Sequence, residues 1–193
     1  MNYELFKMIH GMAGHNKLVD GFMIFCTNSA IYIFGIALLL MWIFGNEYYK
    51  KSAFYAGVTG LIALCINYLI TLVYYEPRPF VTHHVHLLIS HDADASFPSD
   101  HTTGAFAIAM LIWLRNRKIG GIMILFALLT GFSRIWVGHH YPFDVLGSVI
   151  VATVIAILIK KITKLVDPLA NLIISIYYFL IRKKRTTSHS NFN

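Results

Sequence analysis

Charge is scarce in this sequence of 193 residues: 13% of its residues are charged, whereas a soluble domain has about 25%. Cysteine is scarce too, and Cys26 and Cys65 stand in apolar runs that suit neither a disulfide framework nor a metal knuckle. Hydrophobic residues make up 57% of the chain, which excludes a disordered protein and argues against an ordinary soluble one. The surplus of 16 Lys and Arg over 9 Asp and Glu is therefore more typical of membrane topology than of nucleic-acid binding.

Long uncharged runs are what the sequence has in abundance. A bilayer core of about 30 Å needs about 20 apolar residues per helix, so such runs indicate membrane spans. They predict an all-α, polytopic membrane helix bundle with five spans, at 21–44, 52–75, 102–114, 119–132 and 145–159. The third run is short, but it extends back to Pro98.

Weaker segments lie at both ends of this bundle. The apolar stretch 165–181 contains an acid, a proline and an asparagine, and it predicts either a sixth span or an interfacial helix. Apolar residues at helical spacing within 5–12 predict a short interfacial helix before the first span. We expect one membrane domain over 1–181 and a polar, basic tail over 182–193.

The positive charges indicate which face is cytoplasmic. With five spans, one face receives 12 of the 16 Lys and Arg residues, and the positive-inside rule makes that face cytoplasmic. A sixth span would leave eight on each side, so we favour five spans, with 165–181 in the interface or half-inserted. Ionisable groups at span ends are candidates for function. Those on the opposite, extracytoplasmic face are Arg78, His101, Arg134, His140 and Asp144.

The run 133–144 joins the fourth and fifth spans. Pro142 suits the first turn of a helix, where its missing N–H is harmless, and this places Asp144 in that turn. From there the Asp144 carboxylate can reach the imidazole of His140, fix its tautomer and stabilise its cation when the other ring nitrogen attacks an electrophile. The alternative is that Asp144 only starts a helix and His140 is an ordinary interfacial histidine.

Two other span ends carry residues suited to an anion. Ser99 or Asp100 can cap the third span, whose free backbone N–H groups form an anion site, and His101 can donate a proton from there. Prolines on both sides of Arg78 hold it in a rigid loop, where its guanidinium can bind phosphate. An arginine at a span end can also merely snorkel. Together with Arg134, these groups indicate phosphoryl chemistry.

These residues resemble the three motifs of the type 2 phosphatidic acid phosphatase superfamily of membrane phosphatases. The third motif, Ser-Arg-x5-His-x3-Asp, matches in full within 133–144, and the second, Pro-Ser-Gly-His, appears at 98–101 with Asp100 in place of glycine. The first motif keeps Arg78, but Thr71 stands where the family has lysine. More closely, the stretches YEPRPF, ASFPSDHTTGA and TGFSRIWVGHHYPFDVLGS resemble bacterial undecaprenyl-diphosphatases associated with bacitracin resistance.

The resemblance implies a hydrolysis that needs no metal or other cofactor. It implies that His140 attacks the terminal phosphorus and forms a phosphohistidine, that Asp144 orients His140, and that His101 protonates the leaving oxygen and then activates water. The implied substrate is undecaprenyl diphosphate, a membrane lipid whose hydrolysis recycles the cell-wall carrier and confers bacitracin tolerance. The groups implied to hold phosphate are Arg78, Arg134 and the backbone of Ser99 and Asp100.

Other functions stay open at this point. Phosphatidate or phosphatidylglycerophosphate could be the substrate, because the motifs recognise only the phosphate head. A proton-coupled transporter could use the same Arg, His and Asp side chains as a relay. A serine hydrolase could use Ser99 and His101, although both arginines would then be unexplained. A zinc protein could take its ligands from one loop: His83, His84, His86, His91, Asp92 and Asp94.

Overall fold

Eight helices make up the part of the chain that the computed structural model describes, which is residues 1–190, with side chains through residue 181. Residues 191–193 of the basic tail lie outside the described residues. The helices are α1 (Asn2–His10), α2 (Lys17–Phe44), α3 (Glu47–Val73), α4 (Pro79–Thr82), α5 (Asp100–Arg115), α6 (Arg117–Trp136), α7 (Pro142–Lys161) and α8 (Thr163–Ser190). The all-α bundle predicted from the sequence is therefore confirmed.

Five helical segments are long and apolar enough to cross a bilayer: α2, α3, α6, α7 and the part of α8 from Thr163 to Ile181. The first four confirm predicted spans. The remaining predicted span, 102–114, lies in α5, which has only 16 residues and is about 24 Å long. Six of its residues are fully buried, and α5 packs against α3, α6 and α7, so the shortest of the bundle's long helices is also its centre.

Short links join the helices at one end of the bundle, which we call the basic end. Only two residues separate α2 from α3, and one residue separates α5 from α6 and α7 from α8. Asparagine side chains start two of these helices: Asn46 accepts from the Tyr49 N–H, and Asn116 accepts from the Ile119 N–H. Such caps satisfy donors that a helix start leaves unpaired. The loops and short helices at the opposite end, which we call the site end, carry the candidate functional residues.

The position of α8 follows from its contacts with the basic end. Tyr55 of α3 donates a hydrogen bond to the Asp167 carboxylate, and the Tyr177 ring lies 5.6 Å from that of Trp42, near the end of α2. Asp167 and Tyr177 are ten positions apart, about 15 Å along the helix, yet both contact the same end of the bundle. Helix α8 therefore runs across the basic end. These contacts favour the predicted interfacial position over a sixth span.

The predicted N-terminal helix is present as α1, which packs across the site end. Phe6 is 1% exposed and its ring meets that of Tyr141, while His10 Nδ1 donates to the carbonyl of Trp136 at 2.8 Å. Asp20, at the start of α2, accepts a hydrogen bond from the Trp136 indole at 2.9 Å. The first 20 residues thus brace the end of α6, which leads directly into the candidate site.

Cysteine labelling tests which end of the bundle faces outward. In a background without Cys26 and Cys65, we expect an impermeant maleimide to label His86→Cys in intact cells, because His86 is exposed in the loop of the site end. Lys118→Cys, exposed at the basic end, should react only after the cells are permeabilised. The reverse labelling pattern would contradict the orientation predicted from the positive charges.

Candidate active site

The candidate residues come from four separate parts of the chain and meet at the site end. Arg78 precedes α4, the segment Ser99 to His101 begins α5, Arg134 lies in the last turn of α6, and Asp144 lies in the first turn of α7. His140 lies in the link between α6 and α7. The fold therefore brings together elements that are more than sixty positions apart in the sequence.

The link between α6 and α7 turns sharply at Gly138. This residue has φ +93°, and a Cβ there would lie 3.0 Å from the side chains of Val85 and Leu87. Only glycine adopts this backbone freely, so Gly138 ends α6 and directs His139 and His140 inward. Pro142 occupies the first turn of α7, as the sequence predicts, because that turn needs no N–H there.

His140 is held as a neutral imidazole. It is 2% exposed, and its Nδ1 donates to the Ser96 carbonyl at 2.8 Å, which leaves a lone pair on Nε2. Burial, followed by the positive charges of Arg134 and Arg78, holds the pKa of His140 well below its usual range. The Nε2 atom can therefore act as a nucleophile at neutral pH.

The carboxylate of Asp144 lies within ion-pair distance of His140 and so can reach the imidazole, but it is not the group that accepts the Nδ1 hydrogen bond. Its Oδ2 lies 3.5 Å from His140 Nδ1, beyond normal hydrogen-bond length. It accepts instead from the Ser96 hydroxyl at 2.5 Å and the Tyr141 N–H at 2.8 Å. The Nδ1–H donates its hydrogen bond to the Ser96 carbonyl, because that oxygen is closer than Asp144 Oδ2. Ser96 is thus a site residue that the sequence analysis missed, since a carbonyl leaves no signature in a sequence.

Arg78 is buried against the nucleophile. Its Nη1 lies 3.1 Å from His140 Nε2 and donates to the carbonyl of His139 at 3.1 Å. Its Nε donates to Asp94 Oδ1 at 2.7 Å. Partial burial acts to raise the pKa of the Asp94 carboxyl, but the hydrogen bond and charge of Arg78 outweigh it and lower that pKa. Asp94, which the sequence suggests only as a zinc ligand, is thus the partner of Arg78.

Arg134 is a buried cation without a complete set of partners. It is 2% exposed, and its Nε and Nη2 have no hydrogen-bond partner among the residues that the structure describes. Burying unpaired donors on a charged group is costly, so their arrangement fits an anion that binds there. The neighbouring Ser133 faces away from the site, because its hydroxyl contacts Thr27 and the Thr130 carbonyl. It packs α6 against α2.

Ser99 begins α5, but its side chain does not cap the helix, contrary to expectation. The Ser99 hydroxyl instead accepts a hydrogen bond from the Thr102 hydroxyl at 3.0 Å. The carboxylate of Asp100 points toward α3, where Asn67 Nδ2 donates to it at 2.9 Å. Asp100 therefore offers its backbone rather than its side chain to an anion. His101 is exposed at the start of α5.

Thr71, which stands where the family's first motif has lysine, contributes no charge to the site. Thr71 is half-buried on α3, and its hydroxyl donates to the Tyr68 carbonyl of the same helix. Among the described residues, the fixed positive charges beside His140 are therefore those of Arg78 and Arg134.

Two alternative functions lose support from this geometry. Within the described residues, no three His, Cys, Asp or Glu side chains gather as a metal site. Asp94 is paired with Arg78, and the His83 ring stacks on Tyr3 at 3.7 Å, so the loop histidines have other neighbours. The buried Ser99 hydroxyl makes its hydrogen bond with Thr102 rather than with His101, which does not form the pair that a serine hydrolase requires.

An apolar groove leads away from His101 along the bundle. Its volume is about 310 Å³, and small or apolar residues of α2, α3 and α5 line it, with Asp100 and His101 at one end. Gly35 and Gly57 help to form it, because a Cβ at either position would meet nothing within 4 Å. The site therefore combines a charged head with an apolar channel.

Comparison with known families assigns the chain. The family model of the PAP2 superfamily matches residues 52–166, which include Arg78, His101, Arg134, His140 and Asp144. The chain belongs to the PAP2 superfamily. This confirms the resemblance drawn from the three motifs, and the chain is a phosphatase of this superfamily.

The chain is similar to known proteins over most of its length. It is 57% identical over 183 residues to the undecaprenyl-diphosphatase BcrC of Bacillus subtilis, covering 95% of each chain. Among solved structures, LpxE of Aquifex aeolicus matches with a TM-score of 0.69 and 28% identity over 83% of this chain and 94% of that one. A transmembrane PAP2-type phosphatidylglycerolphosphate phosphatase of Bacillus subtilis matches with a TM-score of 0.65, 84% coverage of each chain and 18% identity, and so shows the fold alone.

Because Arg134 has unpaired donors, we expect its replacement to lower activity without lowering stability. We expect Arg134→Met to reduce phosphate release by roughly 100-fold or more, because one of the cations facing the reacting phosphate is lost. The same variant should melt no lower than wild type in detergent, since it removes a buried charge that lacks partners. Inorganic phosphate should raise the Tm of wild type but not that of Arg134→Met.

Arg115→Met is the matched control at the basic end. The Arg115 guanidinium donates to the Ser52 hydroxyl at 2.6 Å and lies over the rings of Tyr48 and Tyr55. This variant should melt lower than wild type and keep its turnover. A large loss of stability in Arg134→Met would contradict the anion-site interpretation.

Proposed function

We propose that this protein hydrolyses undecaprenyl diphosphate to the monophosphate and inorganic phosphate at the extracytoplasmic face of the membrane. The observation that carries the proposal is the neutral, buried His140 beside two guanidiniums, of which Arg134 has unpaired N–H groups. The 57% identity to a protein named undecaprenyl-diphosphatase supports the choice of substrate. The reaction would return the cell-wall lipid carrier to use.

The first step transfers a phosphoryl group to His140. Its Nε2 attacks the terminal phosphorus, and the bond between that phosphorus and the bridging oxygen breaks as His101 protonates the leaving lipid monophosphate. Arg78 lies 3.1 Å from Nε2 and so can follow the phosphoryl oxygens as they approach that atom. Arg134 and the free N–H groups at the start of α5 stabilise the developing charge.

The second step hydrolyses the phosphohistidine. His101, now neutral, takes a proton from water, whose oxygen attacks the phosphorus while the bond to Nε2 breaks. Phosphate leaves and both histidines return to their starting states. Positioning and fixed positive charge suffice for such a transfer, so the proposed reaction uses side chains and backbone N–H groups of the protein itself.

The groove accounts for a lipid substrate. It begins at His101 and is almost entirely apolar, so a prenyl chain can lie along α3 and α5 while its diphosphate enters the charged site. An extracytoplasmic site would reach the lipid diphosphate that polymer transfer leaves on that leaflet. Bacitracin binds the same diphosphate, so faster hydrolysis would leave less target for the antibiotic.

Replacing the proposed nucleophile tests the mechanism. We expect His140→Ala to lose turnover completely, and rapid quenching of wild type without acid should trap phosphate on a histidine in a fragment that contains His140. Both assays should give the same result with EDTA present throughout. Substantial turnover in His140→Ala, or loss of wild-type activity to EDTA with recovery on added zinc, would overturn the mechanism.

A comparison of substrates tests the specificity. Purified protein should release phosphate from undecaprenyl diphosphate much faster than from phosphatidate, and overproduction in cells should raise bacitracin tolerance. Faster hydrolysis of phosphatidate with unchanged tolerance would instead favour a phosphatidate phosphatase. Gly57→Leu should raise KM for the long lipid but not for isopentenyl diphosphate, because the leucine fills open space in the groove. Gly121→Leu, at an equally open position on α6, serves as the control.

A further inference from the structure

Ser96 lies between the two residues on which the proposed reaction depends. It is fully buried, and each of its polar groups has a partner. Its N–H donates to the Glu76 carbonyl at 2.7 Å, its carbonyl accepts from His140 Nδ1 at 2.8 Å, and its hydroxyl donates to Asp144 Oδ2 at 2.5 Å. One residue therefore joins the Arg78 loop, the nucleophile and the carboxylate.

The bond to Glu76 explains why Ser96 is fixed in place. Pro77 and Ala95 form an isolated antiparallel bridge, which pairs the two ends of the segment between α3 and α5. Arg78 follows Pro77 directly, as Ser96 follows Ala95. The backbone pairing thus sets the positions of Arg78 and Ser96 relative to one another.

The Asp144 carboxylate depends on Ser96 for its position. Its Oδ2 has two donors, the Ser96 hydroxyl and the Tyr141 N–H, while its Oδ1 has no partner among the described residues. Removing the Ser96 hydroxyl would leave this buried carboxylate with a single hydrogen bond, from the Tyr141 N–H, about which the carboxylate could rotate. The 3.5 Å separation between Oδ2 and His140 Nδ1 would then no longer be fixed.

We propose that Ser96 is a positioning residue for phosphoryl transfer: its hydroxyl holds Asp144 where the carboxylate stabilises the His140 cation, and its carbonyl keeps the Nε2 lone pair directed at the phosphorus. When Nε2 bonds to phosphorus, the imidazole becomes positive, and its Nδ1–H stays hydrogen-bonded to the Ser96 carbonyl. The Asp144 carboxylate, held 3.5 Å away, then meets a full positive charge. The hydroxyl therefore matters more in the transition state than when substrate first binds.

Ser96→Ala and Ser96→Cys test this role, which rests on the proposed hydrolysis. Both remove the strong O–H donor, whereas cysteine retains nearly the volume of serine with only a weak donor. We expect both variants to lower kcat roughly 10-fold or more, to slow phosphohistidine formation equally and to leave KM close to the wild-type value. The assay uses whichever lipid phosphate wild type hydrolyses fastest, so an error in the proposed substrate does not affect the test.

Ser52→Ala is the matched control. Ser52 is also buried, and its hydroxyl bonds to the Tyr48 carbonyl and to Arg115, but at the basic end. It should lower the Tm by about as much as Ser96→Ala while kcat is retained. Wild-type kcat in Ser96→Cys would show that volume alone matters, and a rise in KM with unchanged kcat would place Ser96 in binding. Either result overturns the proposal.

Discussion

Two buried guanidiniums in a bundle with few other charges are the constraint on which this site depends. Among the described residues, Arg78 has one carboxylate partner, Asp94, and two N–H groups of Arg134 have no partner. Cations removed from water are costly unless anions compensate them, so the site end is arranged to accept negative charge. The same two cations help to keep His140 neutral, because they oppose a third positive charge nearby. Affinity for phosphate and availability of the nucleophile therefore have one electrostatic origin.

The rest of the fold holds these groups in register. Helix α5 packs against α3, α6 and α7, so its first turn lies among the helix ends that carry the buried arginines and His140. The link after α6 is shaped by Gly138 and braced from outside by α1 through His10 and Phe6. Because these supports come from distant parts of the chain, the site exists only when the whole bundle is assembled.

The division between a charged head site and an apolar groove matches the physical nature of a lipid diphosphate. His101 lines the groove, so the lipid tail can lie in the groove while the diphosphate lies in the charged site. His101 then stands between them, where the leaving oxygen needs a proton. Asp100 stands beside this point in place of the family's glycine, and Asn67 draws its carboxylate toward α3. That hydrogen bond explains how an acid is accommodated next to a phosphate site.

The sequence by itself determined the membrane bundle and the approximate positions of most helices, and it supplied Arg78, His101, Arg134, His140 and Asp144 as candidates, because hydropathy, helix starts and motif spacing are local properties. Only the tertiary structure decided which atoms meet. His140 Nδ1 donates its hydrogen bond to the Ser96 carbonyl instead of Asp144, Arg78 pairs with Asp94, and α8 lies across the basic end. These outcomes depend on where backbone carbonyls and distant side chains come to rest after packing, and differences of less than 1 Å choose between partners.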